Sequence, residues 1–153
     1  MNSQGNTAAQ SRQLDLAPVV AQIANRMGIS DMLSYGVPRE FWATFKPEQG
    51  MQIESYSDSL IGSDPASPCG LVVCVDYLHS VGMLRIADVL DDLKRVTRGV
   101  GFFQVKTEHE VDTLRAIDQP VQWWLAEFLK RFSLQTYQRI PGGFYVIVYP
   151  RAH

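Results

Sequence analysis

Five consecutive apolar residues, Leu71-Val72-Val73-Cys74-Val75, constrain this chain more than any other stretch. Side chains of a strand alternate between its two faces, so a run that is apolar at every position needs cover on both. A central strand of a parallel sheet, with helices above and below, meets that need. A strand of this kind cannot be built alone, and the flanking segments supply partners. Val100 to Val105 is a second apolar strand candidate. Between the two, Met83, Ile86, Ala87, Leu90 and Leu93 recur at helical spacing, with Asp88, Asp91, Asp92 and Arg95 on the other side.

Around this centre the other elements fall into an alternating order. Leu16, Val19, Val20, Ile23, Ala24 and Met27 make one helical stripe that Gly28 can stop. Asp31 to Tyr35 and Met51 to Tyr56 read as short strands, and Pro38 can start a brief helix reaching about Phe45. Residues 57–69 are rich in Ser, Asp, Pro and Gly and read as a loop. Pro120 suits the first turn of a helix whose inner face is Val121, Trp124, Leu125, Phe128 and Leu129. Leu134 to Ile140 and Phe144 to Tyr149 are strands joined by Pro141-Gly142-Gly143, a hairpin turn. The sum is an α/β chain with a doubly wound, mostly parallel sheet and a C-terminal antiparallel hairpin. Residues 1–12 are polar and expected to form a flexible tail, leaving one domain over 13–150.

Charge excludes little but directs attention. The net charge of -2 gives no general attraction to nucleic acid or to an anionic membrane. Residues 1–80 hold four Lys/Arg against eight Asp/Glu, and the remainder ten against eight. Lys94, Arg95, Arg98, Lys130 and Arg131 therefore form either a basic patch or a set of cations favoured by helix C-termini, and the second reading carries more weight. Cys69 and Cys74 fit neither a disulfide framework nor a zinc signature. No apolar stretch approaches the roughly 20 residues that span a bilayer, and the opening residues lack the apolar centre of a signal peptide. A cytoplasmic location is the default expectation.

Several segments together resemble a known family. Gly70-Leu-Val-Val-Cys-Val-Asp-Tyr-Leu78, Val89-Leu-Asp-Asp-Leu-Lys-Arg-Val-Thr97, Gln119-Pro-Val-Gln-Trp-Trp124 and Arg131 through Phe144 are similar to class I S-adenosylmethionine (SAM) dependent methyltransferases, in particular small bacterial and phage methyltransferase-domain proteins. The resemblance is good over about residues 70 to 150 and faint over 28 to 69. It implies a Rossmann-like methyltransferase fold whose last hairpin closes the sheet.

The same resemblance implies a cofactor site, and here the sequence departs from the pattern. The family's first strand ends in an acidic residue and a Gly-rich turn, whose glycines let backbone N–H groups approach the cofactor. Ser34-Tyr35-Gly36-Val37-Pro38 stand there, with one glycine, no carboxylate and a proline that has no N–H. Arg39, Phe41 and Trp42 follow, large where small residues give clearance. An acidic residue after the second strand accepts from the ribose hydroxyls in relatives. Ser57 aligns with it, and a shift of one residue brings Asp58 into use. After the central strand, Asp76 is kept while the relatives' Glu-His pair is replaced by His79-Ser80.

Gly36, Asp58 and Asp76 are thus the candidate cofactor-binding residues, and no catalytic or metal-binding residue is assigned. Asp76 either touches a cofactor or caps the turn after its strand. A charge-assisted hydrogen bond contributes about 1.5–3 kcal/mol, so losing two costs about two to four decades of affinity. The expectation is a catalytically degenerate methyltransferase-like domain that binds no cofactor and acts as a binding or assembly module with a protein partner or another copy of itself. The alternative is an active SAM-dependent enzyme with an atypical pocket. His79 is a general-base candidate, though a lone loop histidine is more often structural. Trp123 is a better contact-surface candidate than Trp124, which lies on the buried stripe.

Overall fold

The computed structural model describes residues 4–37, 42, 51–56, 68–107, 117 and 119–151, with backbone alone for 4–15 and 55–56. Six strands form one sheet: β1 (Asp31–Tyr35), β2 (Gln52–Tyr56), β3 (Cys69–Val75), β4 (Thr97–Lys106), β5 (Phe132–Ile140) and β6 (Gly143–Pro150). Three helices accompany them: α1 (Gln4–Met27), α2 (Ile86–Val96) and α3 (Val121–Leu129). The strand order is β2-β1-β3-β4-β6-β5. The first four strands are parallel, and β6 joins β4 antiparallel with β5 outside it. This is the doubly wound, mostly parallel sheet with a terminal antiparallel hairpin that the apolar pattern predicts.

Strand β3 is buried at six consecutive positions, as its unbroken run requires. Its alternation sorts the core into two layers. Val72 and Cys74 point to the side of α2 and α3, together with Leu33, Tyr35, Phe103 and Val105. Leu71, Val73 and Val75 point to the α1 side, with Met32, Val100 and Phe102. On the first side Phe103 stacks on Phe128 at 5.6 Å and meets the edge of Phe132 at 5.3 Å, tying α3 and the hairpin to the sheet centre.

Helix α1 buries Leu16, Val20 and Ala24 against the sheet, one residue per turn. It starts at Gln4, earlier than the apolar stripe indicates, so most of the polar segment read as a tail has helical backbone. Its end follows the sequence. Gly28 takes φ +66°, its N–H donates to the Asn25 carbonyl, and the Ile29 N–H donates to the Ala24 carbonyl. These paired bonds close the helix as a Schellman motif, with buried Ile29 as its apolar anchor.

Two stripes differ from the sequence reading in detail. Helix α2 buries Ile86, Val89, Leu90, Leu93 and Val96, while Ala87 is exposed and Met83 is half exposed outside the helix. Met83 shares the helical spacing by coincidence, because the chain turns at Gly82 before the helix begins. Helix α3 buries Trp124 and Phe128 fully, and Leu129 faces solvent. Glu127 on this helix accepts from Lys130 at 2.7 Å and lies 3.4 Å from Arg131, which together hold its carboxyl below the usual glutamate range, the Lys130 hydrogen bond most of all. The stabilisation is present above the unfolded value of about 4.3 and lost as pH falls through the lower folded one. Glu127→Gln should therefore cost up to about 1 kcal/mol at neutral pH, and its melting temperature should converge on that of the parent in acid.

Candidate functional site

In an open α/β sheet the crevice that can take a ligand lies beyond the carboxyl ends of the strands, where the winding reverses. Here β1 connects outward to β2 while β3 lies on its other side, so the reversal falls between β1 and β3. Residues Gly36 and Val37 leave β1 at this point, and Asp76 and Tyr77 leave β3 beside them. The fold thus brings two of the three candidate residues, Gly36 and Asp76, to one spot. Asp58, with Ser57, lies outside the described residues.

Gly36 has a backbone reason to be glycine. Its φ is +83°, and a Cβ there would overlap the Val75 carbonyl oxygen and stand 3.2 Å from the Tyr77 Cβ. The two strand ends are packed against each other, and only a residue without a side chain fits between them. Val37, next in the chain, is fully buried in the α1-side core. Trp42 is 4% exposed in the same cluster, and its indole N–H donates to the Ser34 hydroxyl at 3.0 Å. Ser34, buried within β1, is thereby satisfied by a tryptophan that folds back onto its strand. The segment 38–45 expected to form a brief helix is otherwise outside the described residues.

Across the crevice Asp76 takes φ +51°, a left-handed conformation that costs a non-glycine residue free energy. Its N–H donates to the Gln104 carbonyl at 2.9 Å, and the Gln104 side-chain amide donates to its carboxylate at 3.2 Å. Both bonds pin the turn after β3 to the neighbouring strand β4. Gln104 is 1% exposed and its side-chain oxygen has no hydrogen-bond partner among the described residues. Sequence reasoning passed over this residue, although a single polar side chain interrupting Val100 to Val105 is the signal that marks it.

His79 is half-buried in a single 3₁₀ turn, Leu78–Ser80, and its carbonyl accepts from the Ile117 N–H. Trp123 is half-buried and meets Trp124 edge-on at 5.1 Å, so its ring is engaged in packing. Four of the five cations in the suspected basic patch form ion pairs, Arg95 with Asp92, Arg98 with Asp31, Lys130 with Glu127 and Arg131 with Asp91, and Lys94 has no such partner among the described residues. Asp31 also accepts from the Gly70 N–H at 2.9 Å and so links the starts of β1 and β3. Burial, reinforced by the Asp31 carboxylate, pushes the Cys69 thiol up to about 11, and full burial pushes Cys74 up as well. Both shifts disfavour the thiolate, which is the nucleophilic form. Among the described residues no group of three His, Cys, Asp or Glu could hold a metal, and no helix is long and apolar enough to cross a membrane.

The sheet and its reversed final strand have parallels among solved structures. A Pyrococcus horikoshii protein superposes with a TM-score of 0.63 at 11% identity, over 98% of this chain and 93% of its own. The N-methyltransferase NodS from Bradyrhizobium japonicum, in complex with S-adenosyl-L-homocysteine, gives 0.63 at 10% identity over 95% and 98%. The chain has the class I methyltransferase fold. A third methyltransferase-fold neighbour, the Burkholderia thailandensis 1,6-didemethyltoxoflavin-N1-methyltransferase with bound S-adenosylhomocysteine, gives 0.60 at 14% identity over 99% and 91%. No protein-family model matches the sequence, and no curated protein matches it.

At the crevice the described residues are engaged with one another. In this methyltransferase-fold chain the Ser34 hydroxyl is occupied by Trp42, Val37 is turned into the core, and the one glycine of the turn is held against Val75.

Proposed function

We propose that this methyltransferase-fold domain is catalytically degenerate and serves as a binding or assembly module, with a protein partner or a second copy of the chain. The observation that carries the reading is Trp42, buried and hydrogen-bonded to Ser34 at the end of β1. It stands on the segment where the resemblance leads one to expect small residues and a clear path to a cofactor. The retained Gly36 supports the same reading, since contact with the Val75 carbonyl accounts for it without a ligand. Core positions stay apolar and periodic while the changes gather at the crevice, a pattern that preserves the scaffold and its surface. The test is incubation of the purified chain with SAM and candidate acceptors, reading S-adenosylhomocysteine. The proposal expects none above the rate without protein; turnover that scales with protein would overturn it.

The alternative, an active methyltransferase with an atypical pocket using Asp58 and Asp76, is favoured by one observation. Asp76 holds a left-handed backbone at the mouth of the crevice, and strained residues gather at functional sites. Two of the three structural neighbours named above carry S-adenosylhomocysteine. On that reading SAM is the cofactor, and Asp76→Ala should abolish any S-adenosylhomocysteine formed; an unchanged rate would remove its support.

A further inference from the structure

At the end of the sheet opposite the crevice, an open cavity of about 580 Å³ lies where α2 stops, β4 starts and β6 runs out. Its lining is Asp91, Lys94, Arg95, Thr97, Pro150 and Arg151. Three of these six carry positive charge although the whole chain is net negative. The side chains that could oppose an anion are already engaged, and the cations must outweigh the negative end of α2, which adds about half a charge at the same place. Asp91 pairs with Arg131 and the Thr97 hydroxyl donates to the Leu93 carbonyl at 2.6 Å. Arg95 is held by Asp92 at 2.8 Å.

Two cations remain. Lys94 is half-buried, and among the described residues it has neither a carboxylate nor a hydrogen-bond partner. Arg151 is anchored by its Nε, which donates to the Phe132 carbonyl at 3.0 Å, and by its backbone N–H, which donates to the Arg131 carbonyl. That anchoring leaves the two terminal guanidinium nitrogens without partners among the described residues. An ammonium without a counter-ion gains from an anion, and a guanidinium held at one edge offers a fork for two oxygens. Two unneutralised positive charges match a group carrying about -1.5 to -2 at neutral pH.

We propose that this cavity binds a phosphate monoester, with Lys94 and Arg151 on its oxygens and Arg95 at the margin. A nucleic-acid backbone is the poorer match. The surrounding Arg98, Lys130 and Arg131 are paired with carboxylates of the chain itself and offer no continuous basic track. The volume falls in the range of small-ligand sites. The proposal goes beyond the non-catalytic reading and is independent of it, because the cavity and the crevice lie at opposite ends of the strands.

The full chain is titrated at low salt, by calorimetry, with glycerol 3-phosphate, a phosphoserine peptide and a single-stranded oligonucleotide. Saturable one-to-one binding of glycerol 3-phosphate assigns a free metabolite, and of the peptide alone a phosphorylated partner. In either case Lys94→Ala and Arg151→Ala should each weaken binding about tenfold or more, Lys94→Arg should retain it, and Lys130→Ala should leave it unchanged. Thermal melting of each variant separates lost binding from lost folding. No saturable binding of either monoester, equal binding in a folded Lys94→Ala protein, or tighter binding of the oligonucleotide would overturn the assignment.

Discussion

Replacing Gly36 with alanine is expected to destabilise the domain by about 2–5 kcal/mol, among the largest losses for a single methyl group. Two terms combine. The backbone sits at φ +83°, where a non-glycine residue costs roughly 1–2 kcal/mol. The added Cβ would also press on the Val75 carbonyl, a main-chain atom that cannot rotate away. Relief requires β1 and β3 to part at their carboxyl ends, where Tyr35 pairs with Cys74, and moving packed backbone costs about another 1–3 kcal/mol. Chemical denaturation of the variant reads the loss directly as a lower midpoint. A shift below about 1 kcal/mol would show that the strand ends are looser than described, and with them the crevice.

Trp42→Ala is the second large effect, expected at about 3–5 kcal/mol as for other buried aromatic truncations. The indole is 4% exposed within the α1-side cluster, beside Val37. Its removal leaves a cavity and strips the Ser34 hydroxyl of its donor, and an unsatisfied buried polar group adds its own cost of about 1–3 kcal/mol. Trp42→Phe separates the two contributions. It keeps most of the volume and loses the N–H, so it should fall between the parent and the alanine variant. Equilibrium unfolding followed by circular dichroism measures all three proteins. If Trp42→Ala unfolds at the parent's denaturant concentration, the tryptophan does not pack where the account needs it.

These effects also mark how far the sequence could be read. The unbroken run Leu71 to Val75 fixed the centre of the sheet because nothing but two-sided cover satisfies five consecutive apolar residues. The stop at Gly28 was legible for a similar reason, since glycine closes a helix at little cost. The start of α1 was not, because residues 4–15 carry no one-sided apolar stripe from which a helix could be inferred. Met83 drew the α2 stripe one turn too early, since spacing alone cannot see a turn at Gly82. Gln135 falls where the pairing of β5 with β6 shifts by one residue, a bulge that no alternation announces.

At the candidate site the balance is different. Position in the fold was legible for Gly36 and Asp76, because both follow strands that were themselves legible. Their local roles were not. Contact between Gly36 and the Val75 carbonyl joins residues 39 positions apart, and the bond from Gln104 to Asp76 spans 28. Long-range contacts of this kind leave no periodic trace. The basic patch could be weighed beforehand only as a tally of cations; its neutralisation depended on Asp31 lying beside Arg98 and Asp91 beside Arg131. Lys94, which shares that helix end and has no such partner among the described residues, stands out only after the pairs are drawn.

The central claim is that the mouth of β1 and β3 has no room or grip for an adenosyl group. Calorimetric titration of the folded chain with S-adenosylhomocysteine tests it without requiring an acceptor substrate. The account predicts heats indistinguishable from dilution throughout the titration. A saturable isotherm with a dissociation constant in the micromolar range, abolished by Asp76→Ala, would contradict it.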